Sequence, residues 1–309
     1  MWVLGFNLII PITSAKNIEN HQIAIIEKET LKIYKIENQI KLIKTIPLKG
    51  KPFHPSLCNE NVVYHSYIRG ETSEVFLNNK QITRNDIDVY ESYPVCITSN
   101  DTIIIIIKAD RGIVQYLVKD NKILNELIIE KSKKAWENTL PSLAKSKNYY
   151  HLSWSFLIDS LHEIVYAKSS DLINWQKEIV DIGEISNIIA KDNFVFLVYY
   201  QTLLRSKIIL LYSDNEFKNY KKVIIDENEK VLRNPSVGFD GKKLTICYIS
   251  NEMDFPVAKC KISLDFGKSW TIKKFGEYSN PVNYINLSDD GNYLITSHSN
   301  GEVRIYSLK

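Results

Sequence analysis

The chain has 309 residues, 44 % of them hydrophobic, with 39 basic and 36 acidic side chains and a formal net charge of +3. The charge is spread without a basic block, which argues against a nucleic-acid or membrane-surface footprint. No run approaches the roughly 18 apolar residues of a membrane span, and the length suits two ordinary domains or one long all-β domain.

The apolar start, Trp2–Ile10, has no basic segment ahead of it and runs into Pro11 rather than a small-residue cleavage site. It reads as a buried strand and not as a secretory signal. Pro11 opens the first of a series of units, in which Ile23–Ile26, Leu31–Ile36 and Ile40–Ile46 are strand-forming runs. Pro55, Pro94, Pro141 and Pro235 open similar units, and Ser186 stands where a fifth proline would. Each opening is a short strand, a polar turn and a β-branched or aromatic second strand. The best helix candidate is one or two turns around Lys131–Asn138.

The last unit, opened by Pro281, has only three runs, Val282–Leu287, Tyr293–Ser297 and Val303–Leu308, turned by Ser288-Asp289-Asp290-Gly291 and Asn300-Gly301. A three-stranded meander cannot bury its apolar face alone, so residues 2–9 are expected to add its outer strand. Starts near 11, 55, 94, 141, 186, 235 and 281 lie 39–49 residues apart. Four-stranded repeats of that length predict an all-β, single-domain, seven-bladed β-propeller of antiparallel blades, closed by the N-terminal strand. Six blades plus an N-terminal extension is the alternative count.

Cys58, Cys96, Cys247 and Cys260 form no CxxC pair, so no metal site is expected. A symmetric hairpin around Asn251–Asp254 would bring Cys247 opposite Cys260, as a disulfide in an oxidising compartment or, the reading preferred here, as buried thiols.

Ser263-Leu264-Asp265-Phe266-Gly267-Lys268-Ser269-Trp270 fits the pattern SxDxGxxW, and Ser169–Trp175 and Ser213–Tyr220 are altered copies. On these turns the region 141–276 resembles the Asp-box propellers, the sialidase and related glycosidase-like group. The final repeat, with its Ser-Asp-Asp-Gly turn and Tyr306-Ser307 where Trp-Asp would stand, resembles a degenerate WD-type repeat, and the first repeat a weaker one. The box itself has a structural logic, since Ser and Asp satisfy local backbone donors in a tight turn. The sialidase resemblance implies an arginine triad, a tyrosine nucleophile with a glutamate partner, and an acidic proton donor. The family's Arg-Ile-Pro motif is absent, Arg233-Asn234-Pro235 being similar in form but in the sixth repeat. No tyrosine with an adjacent glutamate can be placed, and the other route rests on Glu137 and Glu184 facing each other from neighbouring blades.

In such a fold the connections from second to third strand, and from fourth strand to the next blade, share one face around the channel. That face is expected to carry His54, Tyr93, Glu137, Glu184, Arg233 and Asn234 on inner connections, with Arg69, Arg111 and Arg205 farther out. Four of the six arginines fall there, and the guanidinium fork suits carboxylate or phosphate. The expectation is a non-enzymatic, cofactor-free scaffold that binds a protein partner in a larger assembly through the channel face. The alternative is a glycan-binding or glycoside-hydrolase-like surface propeller taking an acidic glycan. A cytoplasmic location is expected, with an extracellular or virion surface as the alternative; Asn100 and Asn286 are glycosylation acceptor patterns.

Overall fold

The structure, a computed structural model, describes residues 4–6, 22–27, 29–36, 40–69, 72–83, 90–132, 140–158 and 161–309. The regular structure of these residues is entirely β and forms seven antiparallel sheets. The chain packs as two compact units, Ile10–Leu143, and Met1–Ile9 with Ala144–Lys309. The first strand, β1 (Leu4–Phe6), belongs to the larger unit.

In the unit Ile10–Leu143, β2 (Gln22–Glu27), β3 (Thr30–Ile36) and β4 (Ile40–Pro47) make the first sheet. The expected opening strand at Pro11 lies outside the described residues, as do most of the helix candidate Lys131–Asn138 and Glu137 itself. The second sheet is β5 (Lys51–Cys58), β6 (Asn61–Arg69), β7 (Thr72–Leu77) and β8 (Lys80–Gln81). The third is β9 (Glu91–Ser99), β10 (Thr102–Ala109), β11 (Gly112–Lys119) and β12 (Lys122–Lys131). Its hairpins turn on Asn100-Asp101 and Asp120-Asn121, with φ of 48° and 59°, and 49° and 59°. Asn and Asp tolerate that left-handed pair, which matches the twist of the flanking strands. The isoleucine run Ile103–Ile107 is buried on both sides of β10. Ile105 and Ile107 pack into one core with Val63, Val75 and Leu77 of the second sheet, the two-residue period sending Ile104 and Ile106 to the other face.

The fourth sheet, in the larger unit from Ala144 on, is β13 (Ser142–Lys145), β14 (Tyr150–Ile158), β15 (Leu161–Ser169) and β16 (Gln176–Ile182). The fifth is β17 (Glu184–Lys191), β18 (Phe194–Gln201), β19 (Ser206–Ser213) and β20 (Lys221–Asn228). The sixth is β21 (Leu232–Phe239), β22 (Leu244–Ser250), β23 (Val257–Ser263) and β24 (Thr271–Phe275). The seventh consists of β25 (Val282–Leu287), β26 (Tyr293–His298), β27 (Val303–Ser307) and β1, ordered β1-β27-β26-β25. Leu4 pairs with Ile305 and Phe6 with Val303, so the N-terminal strand does complete the last sheet, over Leu4–Phe6. Successive sheets share cores: Phe196 and Val198 of the fifth pack with Val237, Phe239 and Tyr248 of the sixth. Cys247 and Cys260 of the sixth pack with Ile285 and Leu294 of the seventh.

Two expectations are corrected. Three repeat prolines do not begin their inner strands: β5 starts at Lys51, β9 at Glu91 and β21 at Leu232, ahead of Pro55, Pro94 and Pro235, whereas Pro141 and Pro281 directly precede β13 and β25. All four cysteines are bonded rather than free, as Cys247–Cys260 on register-paired positions of β22 and β23, and Cys58–Cys96 between two sheets. The second pairing has no trace in a local pattern because its partners belong to different repeats.

Candidate functional site

The inner strand of four sheets is broken by a β-bulge at the same place. Register shifts between Phe53 and Ser56, opposite Tyr93-Pro94, between Glu184 and Asn187, and between Arg233 and Ser236. A residue with positive φ sits in each: His54 (48°), Tyr93 (52°), Ile185 (42°) and Asn234 (50°). In three of them the next residue is proline, which has no N–H to lose from the ladder at a bulge. Such a backbone costs on the order of 1–3 kcal/mol at a bulky residue and persists only where the surroundings impose it. Its recurrence makes it architectural, while the side chains it carries differ from sheet to sheet. His54, Tyr93 and Asn234 therefore occupy the equivalent positive-φ position of these bulges, and Glu184 and Arg233 the position just before it.

In the unit Ile10–Leu143 the bulges bring together an aromatic cluster. The His54 ring lies 4.2 Å from Tyr93 and 4.9 Å from His65, centroid to centroid, and His65 stacks on Phe53 at 5.7 Å. The two imidazole Nδ1 atoms are 3.4 Å apart, and burial pushes the His65 pKa down to about 3, so this ring is neutral. The Lys108 ammonium lies 5.6 Å from the Tyr93 ring centroid, with its pKa lowered by burial. The Tyr67 and Tyr90 hydroxyls meet at 3.2 Å. Arg111 is committed elsewhere, donating to Glu126 at 2.5 Å and to the Tyr116 hydroxyl at 2.7 Å. Arg69 pairs through its backbone with Thr72.

In the larger unit Glu184 is the register partner of Tyr200 and accepts a hydrogen bond from its hydroxyl at 3.0 Å. A tyrosine–glutamate pair thus exists where the sequence offered none to place, because the Ile185-Ser186 bulge sets which residues face each other. Burial and the Glu184 carboxylate raise the Tyr200 pKa and Arg233 offsets only part of that, so the phenol stays protonated and acts as a donor. Arg205 is exposed and paired with Glu227 (3.9 Å) and Glu229 (3.3 Å). Arg233 has no carboxylate partner among the described residues, and its buried Nε has no hydrogen-bond acceptor. Of the expected arginines whose side chains are described, Arg111 and Arg205 are paired with acids and Arg233 is not.

Sequence reading missed a repeated polar tie. The Tyr248 hydroxyl donates to Asp226 at 2.6 Å, and Tyr199 binds Asp181 in the same way one sheet earlier. Lys259 then bridges Asp226 (2.9 Å) and Glu252 (2.7 Å). The matching Val-Asp and Ile-Asp ends of β16 and β20, each followed by a strand tyrosine, were the available signal. The Ser-x-Asp turns lie at the opposite edge of the sheets. Asp265 accepts from the Ser269 N–H and hydroxyl and from Ser263, bonds that hold its pKa down at about 2, and the Ser263 hydroxyl accepts from the Gly267 N–H. Gly267 has φ +88°, and a Cβ there would come within 3.2 Å of Trp270, which folds back onto the sheet. These turns use their polar atoms internally. Among the described residues no three His, Cys, Asp or Glu side chains converge as a metal site.

No protein-family model matches the chain and neither does any curated protein. Solved structures do match in shape. The WD40 β-propeller domain of Doa1 aligns with a TM-score of 0.55 at 9 % identity, covering 97 % of this chain and 95 % of that one. The structure of U3-55K aligns at 0.59 and 8 % identity over 93 % and 92 %. The RRP9 WD40 repeats align at 0.60 and 8 % identity over 94 % and 91 %. At such identities the likeness concerns the fold alone: the chain has the seven-bladed β-propeller fold and resembles WD40-type propellers in shape.

Proposed function

We propose that this propeller is a non-enzymatic scaffold that binds a protein partner. The observation that carries the reading is an exposed apolar surface in the larger unit. In an antiparallel meander the second-to-third and fourth-to-first connections leave the same edge. That edge exposes Leu161, Leu203, Leu204, Val231, Met253 and Tyr278, with Leu204 wholly exposed and Tyr278 80 % so. Contacts show these connections to be neighbours: Arg205 reaches Glu229, Lys230 reaches Asp254, and Phe255 packs on Tyr278 at 5.8 Å. Exposed apolar side chains gathered on adjoining connections favour an interaction site. At the opposite edge Tyr220 stacks on Phe217 (4.8 Å) and Phe266 on Phe194 (5.2 Å), so those rings already serve the fold, while Ile173 and Leu264 are exposed there.

The charges around the apolar surface neutralise one another, Arg205 with Glu227 and Glu229, Lys274 with Glu252, and Arg304 with Glu277 and Glu302. What this edge offers is mainly apolar, which favours a protein partner over an acidic glycan. The two disulfides favour an oxidising compartment over the cytoplasm.

The test is a pull-down from the native source with the wild-type chain and a Leu204→Glu/Tyr278→Glu double variant. A stoichiometric partner recovered by the wild type and lost from the variant is expected. Equal recovery by both, or an exclusively monomeric protein without partner, would overturn the proposal.

A further inference from the structure

We infer that Arg233 is a carboxylate-binding subsite, which receives an acidic side chain of the docked partner next to the apolar surface. The inference rests on the protein-docking reading for the source of the carboxylate and on the site's own geometry for the rest.

The described arginine side chains divide in two. Arg111, Arg205 and Arg304 each hold a carboxylate at 2.5–3.3 Å. Among the described residues Arg233 holds none, and its Nε is shut off from solvent without an acceptor there. Glu184, on the strand β17 that packs against β21, accepts the Tyr200 hydroxyl at 3.0 Å through Oε2 and makes no ion pair with Arg233. The neighbouring carboxylates Glu227 and Glu229 belong to Arg205. A partly buried guanidinium without a counter-charge is costly to the free protein, and an incoming carboxylate relieves that cost while accepting two parallel N–H bonds. The backbone supports this placement. Arg233 pairs with Ile249 immediately before the bulge at Asn234, and β21 packs against β17 and β18, which carry Glu184 and Tyr200. Two residues before it Val231 is exposed, and Glu229 ties that connection to the loop bearing Leu203 and Leu204. The ligand that fits is an Asp or Glu flanked by apolar residues.

The probe is a random nonapeptide display library panned on the immobilised full chain, in wild-type, R233Q and L204E forms. Peptides enriched by the wild type are expected to carry Asp or Glu beside apolar residues. R233Q is expected to weaken them about 10–100-fold, the range for a lost charge-assisted hydrogen bond, while keeping the apolar preference. L204E is expected to keep the acid preference and lose the apolar one. A second arm titrates acetate and glucuronate while following the Arg233 Nε–H NMR signal, which should move with both. Small acids that move the signal without any peptide enrichment would keep the subsite and overturn the protein source, and with it the docking reading. Apolar peptides without acid that bind R233Q equally well would overturn the subsite and leave docking intact. R233M guards against a folding artefact: a thermal midpoint at or above wild type is expected for a cation with no internal partner, and a marked fall would overturn the inference by revealing one.

Discussion

His65 is buried between Phe53 and Tyr67, and the only charge change it can undergo there is unfavourable. Its pKa is near 6.5 in an unfolded chain and about 3 in the fold. Between those values the unfolded state binds the extra proton, so stability is complete above about pH 6.5 and falls as the pH falls. The whole interval is worth about 5 kcal/mol, and the part spent by pH 5 about 2 kcal/mol. Phe at this position keeps a ring for Phe53 and His54 to stack on and removes the proton site. Urea unfolding at pH 7 and pH 5 should therefore show a loss about 2 kcal/mol larger in wild type than in His65→Phe. The comparison cancels other acid-sensitive groups, among them His151, which burial lowers to about 4. NMR titration should find the His65 ring neutral throughout that range. A folded-state titration near 6.5, or equal losses in both proteins, would refute the reasoning.

Lys259→Met removes the cation shared by Asp226 and Glu252, both largely buried. Breaking a buried pair costs about 3–5 kcal/mol, but Lys261 and Lys274 remain beside the two acids, so roughly 2–3 kcal/mol is expected in urea unfolding. Adding Asp226→Asn should recover part of it, and strict additivity of the two changes would show that they do not interact. Replacing Cys247 and Cys260 by serine opens a link across 13 residues, with an expected loss of about 3 kcal/mol by the chain-entropy estimate. Unchanged stability under reducing conditions would show that the bridge does not form.

Much of the fold was legible because its signals are local. Alternating apolar runs, Asn-Asp turns and a repeat of 39–49 residues require only neighbours in sequence to be read. The pairing of Leu4–Phe6 with β27 could be anticipated too, since the last unit lacked a strand and the first residues lacked a partner. Of the candidate residues, His54, Tyr93 and Asn234 turn out to sit in the inner-strand bulges and Glu184 and Arg233 just before them. Their individual roles were not legible. Whether an arginine is spent on Glu126, as Arg111 is, or left without an acid, as Arg233 is, depends on which strands face each other across sheets.

The bulges show the same division. A proline, or Ser186 in the fifth repeat, at the head of each repeat is a sequence fact, but the extra residues of the Ile185-Ser186 bulge shift the register, and Glu184 meets Tyr200. The sequence by itself determined the strands, their turns and their grouping into blades, because backbone conformation and two-residue periodicity are set within a few residues. Only the tertiary structure decided the Cys58–Cys96 bridge, the Asp226–Lys259 network and the lack of an acid beside Arg233 among the described residues. Each of these depends on groups brought together from distant positions, where a displacement of one residue in register would replace one neighbour by another.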